Sequence, residues 1–410
     1  MVNGAIERFN ARFRALSHVV RDSRPHASGP LRGLAVTVKG NIPVAGLPWT
    51  EGSALYAGRI AEQDAAVVAR ARAAGGVIVG TTTLSELAMY GVENPFEPMG
   101  LNPWDPGRTA GGSSTGAGVA AALGMAQVNI GTDSGGSIRN PACHCGVVGF
   151  MPRVGALPLE GQPNRAPSLT TVGLIGRSVP DVELAWEALA PSPGEREEPA
   201  RNVLVPHRLI DAMCDSETLA LFDEAKKRLE ADGFHLIDGE IPGWMEGERA
   251  AGVVSLAEGG RSLAGIDLSK ASAGIRARVA RAAQLAGAEV DAARAACAAL
   301  RGAFAEALRT AGAGALLTPT WPFAAPPIHA ETVEVRGRAV PVDPHRNCFV
   351  RAPNAMDACA ITVPMGLYPG AGVPAGVHLA TPGGRERRLL ALARAVEACM
   401  PKLPPPPPLR

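Results

Sequence analysis

Residues 131–142 read GTDSGGSIRNPA, and no other segment carries as much information about this chain. The adjacent glycines Gly135 and Gly136 tolerate backbone angles that other residues avoid. A loop of this kind can direct several N–H groups at one point, where an oxyanion would form if Ser137 attacked a carbonyl. The segment therefore predicts a nucleophilic Ser137 beside an anion-stabilising loop, with a purely structural turn as the alternative.

A second segment rich in glycine and serine precedes the first, and residues 111–118 read GGSSTGAG. Its small side chains allow close approach of the backbone, and its hydroxyls can relay protons. A phosphate-binding P-loop needs a lysine and then serine or threonine after its second glycine, and a dinucleotide site needs the order G-x-G-x-x-G after a strand. Neither order is present, so the segment indicates either a proton-relaying loop or a loop without a chemical role.

The third segment is RGLAVTVK, residues 32–39, whose β-branched residues predict a strand that ends at Lys39. Burial disfavours a charged amine and lowers its pKa, so a buried Lys39 could act as a base near neutral pH. The alternative is that the stem packs while the ammonium group reaches solvent. No histidine stands in the three segments, so a Ser-His-Asp triad would lack its base.

In this order, the three segments resemble the amidase signature family, whose hallmark is a Gly/Ser-rich block that ends in G-T-D-x-G-G-S-[IV]-R-x-P-A. The resemblance runs through nearly the whole chain. It includes GLIGRSVPD at 173–181, LLTPT at 316–320, and AITVP and GVPAGVHLA within 360–380.

The resemblance implies a serine amidohydrolase with a Ser-Ser-Lys triad. Lys39 corresponds to the family's base, Ser137 to its nucleophile, and Ser113 to the proton-relaying serine, which follows a cis peptide bond in the family. The implied oxyanion hole consists of the backbone N–H groups of Ser134, Gly135, Gly136 and Ser137. The reaction would pass through an acyl-enzyme and require no metal and no cofactor.

Other side chains near these segments have more than one interpretation. Arg139 could clamp a substrate carboxylate or form an internal ion pair. Met89, Tyr90 and Thr170 fall in regions that often line the family's acyl pocket. Asp133 is expected to brace its loop rather than act as a base.

Two features depart from a simple match. Gly40 follows Lys39 where the family usually has Asp, which removes an anion that could tune the lysine. Cys143-His144-Cys145 looks like a set of metal ligands, but no second cluster at zinc spacing accompanies it, so core packing is expected.

Composition and charge exclude several classes of partner. The chain has 410 residues and a formal net charge of +1, with dispersed basic residues, so no nucleic-acid site is predicted. No run of about eighteen apolar residues is present, so no membrane span is predicted. Seven cysteines without a disulfide framework, and an N-terminus without an apolar leader, predict a cytoplasmic protein.

The pattern of elements predicts a single α/β domain with a large twisted mixed sheet covered by helices on both faces. Residues 4–20 are predicted as an amphipathic helix, 360–363 and 376–380 as a final strand pair, and 386–399 as a closing helix. We assign residues 1–400 to the amidase signature domain and 401–410 to a proline-rich tail.

The predicted function is hydrolysis of a carbon–nitrogen amide bond in a small molecule. The short chain resembles small bacterial family members that act on malonamate-like acids. Two alternatives stay open: an amidotransferase A-subunit that releases ammonia to a partner, and a non-hydrolytic binding or biosynthetic protein that keeps the fold. A homodimer is also open, because the family's N-terminal helices are shortened here.

Overall fold

The computed structural model describes residues 4–21, 28–89, 94–192 and 198–409. Its strands are β1 (Leu16–Val19), β2 (Ala35–Lys39), β3 (Val77–Thr82), β4 (Val128–Asp133), β5 (Val148–Met151), β6 (Thr171–Gly176), β7 (Asn202–Val205), β8 (His235–Asp238), β9 (Ala315–Pro319), β10 (Thr332–Val335), β11 (Arg338–Pro341), β12 (Ala358–Leu367) and β13 (Pro374–Pro382). Its α-helices are α1 (Gly4–Phe13), α2 (Ala66–Ala73), α3 (Thr115–Ala122), α4 (Arg139–Cys145), α5 (Val179–Leu189), α6 (His207–Met213), α7 (Ser216–Ala231), α8 (Trp244–Ser262), α9 (Ala273–Ala283), α10 (Gly287–Ala311), α11 (Val342–His345), α12 (Arg351–Ala355) and α13 (Glu386–Cys399).

Within the described ranges, eleven strands form one sheet in the order β1-β3-β2-β4-β6-β5-β12-β13-β9-β7-β8, and β10 pairs with β11 apart from it. β2 runs parallel to β3 and β4, and β7 runs parallel to β8 and β9. Strands β6, β5, β12 and β13 between these groups pair antiparallel. Strand direction therefore alternates at each step from β4 through β6, β5, β12 and β13 to β9.

Helices cover both faces because the strands bury apolar side chains on both. In β3, Ile78 belongs to the cluster packed by α2, α5 and α13, whereas its neighbour Val79 belongs to the cluster packed by α1 and α3. This alternation is what a strand buried on both sides requires. The two clusters share one sheet, so the chain forms a single domain and the predicted fold class is confirmed.

The predicted helix over residues 4–20 is wrong in its second half. α1 ends at Phe13, Arg14 adopts a positive φ of 52°, and the chain then enters β1, which pairs antiparallel with β3. The Asn10 side chain accepts from the Leu16 backbone N–H at 2.8 Å and donates to the Leu16 carbonyl at 3.1 Å. Leu16 continues the helical spacing of Ile6 and Phe13, but these two bonds hold it at the edge of the sheet.

The C-terminal elements agree with the predicted strand pair and closing helix. β12 and β13 pair antiparallel, with Ile361 opposite Leu379, and α13 spans Glu386–Cys399. Leu403 and Leu409 of the proline-rich segment pack against the two apolar clusters. The division of the chain at residue 400 stays a prediction.

In the described part of the chain, every helix is too short or too polar to cross a bilayer.

Candidate active site

Two neighbouring parallel strands bring the first reactive groups together. β2 ends at Lys39 and β4 ends at Asp133, with Val38 of β2 opposite Ile130 of β4. Because the carboxyl ends of parallel strands meet at the same edge of a sheet, Lys39 lies beside Thr132. The edge at which the chain leaves β4 is therefore where the candidate site forms.

Lys39 is completely buried, so its ammonium group does not reach solvent. Its Nζ lies 2.7 Å from Ser113 Oγ, 2.9 Å from Thr132 Oγ1 and 3.2 Å from the Thr132 carbonyl oxygen. Burial lowers the pKa of Lys39 to about 7, and the opposing attraction of Asp133 is smaller. A neutral amine has two N–H groups and one lone pair, which match the two Thr132 oxygens and the Ser113 hydroxyl.

The serine-bearing loops meet next to this lysine. The Gly112–Ser113 peptide bond is cis, as the resemblance implies, and the Ser114 N–H donates to the Ser137 carbonyl at 3.1 Å. Ser113 and the half-buried Ser137 line one cavity of about 780 Å³. The structure therefore joins Lys39 to Ser113 directly and places Ser137 in the same cavity, without a hydrogen bond between the two serine hydroxyls.

Asp133 braces the loop that carries Ser137, as expected. Its Oδ1 accepts from the N–H groups of Gly135 at 3.0 Å and Gly136 at 2.7 Å, and its Oδ2 accepts from Ile138 at 2.9 Å. Burial alone would raise the pKa of Asp133, but Arg139 and these N–H groups hold it well below its usual range. Asp133 is thus an anchored carboxylate rather than a base.

The four N–H groups predicted for the oxyanion hole fall into two pairs. Those of Gly135 and Gly136 are already bonded to the carboxylate, whereas those of Ser134 and Ser137 donate to no described residue. Gly136 has a φ of 110°, and a Cβ there would lie 2.6 Å from Val350 Cγ2, so only glycine fits this turn. The geometry leaves Ser134 and Ser137 as the donors available to a substrate oxygen.

For Arg139, the structure favours the internal ion pair over the substrate clamp. Its side chain is completely buried and donates to both Asp133 carboxylate oxygens at 3.0 and 3.1 Å and to Asn354 Oδ1 at 2.7 Å. Its remaining nitrogen lies 3.0 Å from His378 Nε2. With every arm occupied, Arg139 has no group left for a substrate.

We expect Arg139→Met to destabilise the protein by about 3–5 kcal/mol, because it leaves the buried Asp133 carboxylate without its charged partner. Urea unfolding measures this change. The matched control is Arg153→Met, which removes a half-exposed arginine 4.0 Å from Glu386 and should cost less than about 1 kcal/mol. If the two variants have equal free energies of unfolding, this role for Arg139 is contradicted.

The predicted pocket residues have mixed outcomes. Met89 and Thr170 line the cavity, and the Thr170 hydroxyl lies 2.7 Å from the Ser134 hydroxyl. Tyr90 lies outside the described residues. Met89 and Thr170 therefore stand where a substrate could touch them.

The glycine after the lysine lies in a tight space. A Cβ at Gly40 would lie 3.0 Å from Leu84 Cδ2 and 3.1 Å from the Thr82 carbonyl oxygen. The next residue, Asn41, donates from Nδ2 to Thr132 Oγ1 at 3.2 Å. The negative charge that acts on Lys39 comes from Asp133 instead of a neighbouring aspartate.

Cys143-His144-Cys145 packs in the core, as predicted. All three residues are buried, and the His144 ring meets Trp321 edge to face at 4.1 Å. Burial lowers the pKa of His144 to about 3, so its imidazole is neutral. In the described ranges, no three His, Cys, Asp or Glu side chains are grouped so that they could hold a metal ion.

The wall of the cavity formed by α8 and α9 contains none of the predicted site residues. α8 and α9 supply much of this wall. Arg165 and Glu51 also line the cavity and form an ion pair at 2.6 Å. The alanine-rich sequence of these helices is typical of packing. More than a hundred residues separate them from Ser137, so no local pattern links them to that serine.

Comparisons with known proteins identify the family. A family model described as Amidase matches residues 2–390. The glutamyl-tRNA(Gln) amidotransferase A-subunit of Symbiobacterium thermophilum is 36% identical over 259 residues, covering 58% of this chain and 53% of that protein. The chain thus spans about half the length of the curated relatives it matches.

Solved structures match over nearly the whole chain. The crystal structure of an amidase has a TM-score of 0.90 at 28% identity and covers 98% of this chain and 95% of its own. The glutamyl-tRNA(Gln) amidotransferase A-subunit from Thermotoga maritima has a TM-score of 0.84 at 26% identity, with coverages of 98% and 92%.

Proposed function

This chain belongs to the amidase signature family of hydrolases, and from that premise we propose that it hydrolyses a carbon–nitrogen amide bond of a small molecule. Ser137 is the nucleophile, Ser113 relays the proton and Lys39 is the base. The observation that carries the proposal is the 2.7 Å contact between Lys39 Nζ and Ser113 Oγ inside the cavity that Ser137 lines. A lysine with its pKa near 7 is neutral often enough to accept that proton.

Acylation begins when Ser137 Oγ bonds to the substrate carbonyl carbon. Its proton passes to Ser113 Oγ while the Ser113 proton passes to the Lys39 lone pair. In the free protein the two serine hydroxyls are not bonded, and this contact forms when substrate fills the cavity. The carbonyl oxygen becomes an oxyanion beside the N–H groups of Ser134 and Ser137.

The tetrahedral intermediate then collapses and the carbon–nitrogen bond breaks. The proton on Lys39 returns through Ser113 to the leaving nitrogen, which departs as ammonia or an amine. An ester on Ser137 remains. Water attacks this ester, gives its proton to the same relay, and releases the carboxylic acid as Ser137 regains its hydrogen.

A covalent label tests the proposal directly. A fluorophosphonate probe should attach to Ser137 in the folded protein, and mass spectrometry of the digested protein should locate the adduct. The Ser137→Ala variant is the control for labelling elsewhere. If folded wild type carries no adduct on Ser137 and releases no ammonia from a panel of amides, the non-hydrolytic binding alternative is favoured.

A second candidate function is that of an ammonia-releasing amidotransferase component. It is supported by the names of the curated relatives, which are amidotransferase A-subunits. Such a component should co-purify with partner proteins from its source organism and hydrolyse glutamine faster in their presence. A protein that purifies alone and hydrolyses simple amides at full rate supports the independent amidase.

The rate of hydrolysis should depend on pH through Lys39. Because only the neutral amine can accept a proton, kcat/KM should rise with pH through an apparent pKa of about 7 and then level off. Initial rates between pH 5.5 and 9 measure this limb, and tryptophan fluorescence over the same range checks that the protein stays folded. A profile that falls as the pH rises from 6 to 8 would rule out a neutral lysine base.

A further inference from the structure

The cavity that holds Ser137 extends to a wall formed by α8 and α9. On α9 the lining residues recur every three to four positions, so one face of the helix meets the cavity; they are Gly274, Ala277, Arg278 and Arg281. Arg249 lines it from α8. A volume of about 780 Å³ suits a ligand longer than the malonamate-like acids that the sequence suggested.

The charges on this cavity are unevenly distributed. Six lining residues are arginines, and three of them pair with lining carboxylates, as Arg165–Glu51 at 2.6 Å, Arg351–Glu248 at 2.8 Å and Arg346–Asp343. Arg278 is bonded to Ser255, and the remaining two lining arginines are Arg249 on α8 and Arg281 on α9, with Glu289 as one further described lining carboxylate. The side chains of Arg249 and Arg281 are exposed and form no hydrogen bond or ion pair with a described residue, and the charge of Arg249 acts on Glu248 without direct contact. The surplus of positive charge therefore lies on the wall made by α8 and α9.

This wall is connected to the nucleophile loop by direct contacts. A Cβ at Gly135 would lie 3.3 Å from the Cγ of Arg351, whose Nη1 is 2.8 Å from Glu248 on α8. Two turns further along α8, Ser255 Oγ accepts from Arg278 of α9 at 3.2 Å. A substrate held at Ser137 can thus extend along one continuous surface toward these arginines.

We propose that Arg249 and Arg281 form an anion-binding wall that holds a carboxylate carried by the substrate at the end remote from the scissile amide. This inference rests on the proposed function and names its substrate class. Guanidinium groups bind carboxylates through paired, charge-assisted hydrogen bonds. The charges of Arg165, Arg351 and Arg346 are already balanced by their ion pairs, so the wall is where an added negative charge is stabilised.

The test compares two matched series of probes, the monoamides of linear dicarboxylic acids with four to ten carbons and the unbranched alkanamides of equal length. Wild type should show a kcat/KM for ammonia release that is higher by about tenfold or more for the best carboxylated probe, as one charge-assisted contact provides. Arg249→Met/Arg281→Met should lose this preference, with kcat/KM falling more for the carboxylated probes than for the alkanamides. Arg281→Glu should lower the rate on carboxylated probes further.

Arg261→Met is the matched control, because Arg261 is an exposed arginine of α8 that does not line the cavity. This variant should have the wild-type kcat/KM on both series of probes. If wild type hydrolyses neither series and Ser137 takes no fluorophosphonate label, the proposed function fails and the inference fails with it. If wild type hydrolyses both series equally well, or the double variant keeps the preference, the function stands and the carboxylate inference alone is overturned.

Discussion

Ser137→Ala is expected to lower amide hydrolysis by about 10⁴- to 10⁶-fold, because no acyl-enzyme can form without the attacking oxygen. The residual rate would come from the N–H groups of Ser134 and Ser137, which the substitution leaves in place. Single-turnover ammonia release with the best amide measures the loss. The variant should also fail to accumulate any acylated protein when the reaction is quenched.

The control for this substitution is Ser134→Ala in the same loop. The Ser134 hydroxyl contacts Thr170 at 2.7 Å, so its removal costs about one neutral hydrogen bond and should change kcat/KM by less than about tenfold. Ser137→Ala activity within tenfold of wild type, with Ser134→Ala strongly impaired, would move the nucleophile to the other serine.

Lys39→Ala is expected to lower turnover by at least about 10³-fold while the protein stays folded, because a serine hydroxyl without a base is a poor nucleophile at neutral pH. Lys39→Met tests the same loss with better conservation of volume. Initial rates from pH 5.5 to 9 should show that the rise near pH 7 has disappeared from the residual activity. Lys270→Met, at an exposed lysine, is the control and should match wild type.

The same lysine also gives stability a pH dependence. Its pKa is about 7 in the folded protein and 10.5 ordinarily, so between these values the unfolded chain binds more protons than the folded one. The contribution of Lys39 to the free energy of unfolding therefore increases as the pH rises from 7 toward 10.5. Lys39→Met should lack this increase, which urea unfolding at pH 7 and pH 9 would reveal.

For the catalytic role, a Lys39→Met variant that hydrolyses every amide at the wild-type rate would contradict the assignment of Lys39 as the base.

Local sequence signals predicted the parts of this site that depend on neighbours in the chain. The β-branched run before Lys39 predicted a strand and left open whether its amine is buried, and the paired glycines before Ser137 predicted a tight loop. The sequence could not decide between the two interpretations of Arg139. The deciding partners, Asn354 and His378, come from more than two hundred residues away.

The wrong end of the predicted N-terminal helix also comes from a contact with a distant part of the chain. Leu16 fits the helical spacing of α1, but its pairing with β3 depends on a strand sixty residues further along the chain. A tertiary contact, rather than helix propensity, therefore decided where α1 ends. The bonds from Gly135 and Gly136 to Asp133 are local, yet they distinguish N–H groups that look equivalent in the sequence, and the oxyanion hole stays a prediction.

The reacting groups and the arginine-bearing wall come from separate stretches of the chain. Lys39, Ser113 and Ser137 all precede residue 145, whereas α8 and α9 lie within residues 244–283. Under the proposed function, substitutions confined to residues 244–283 can change the preferred substrate while Lys39, Ser113 and Ser137 stay the same. The same partition makes residues 244–283 a natural unit for transplantation between relatives in the laboratory.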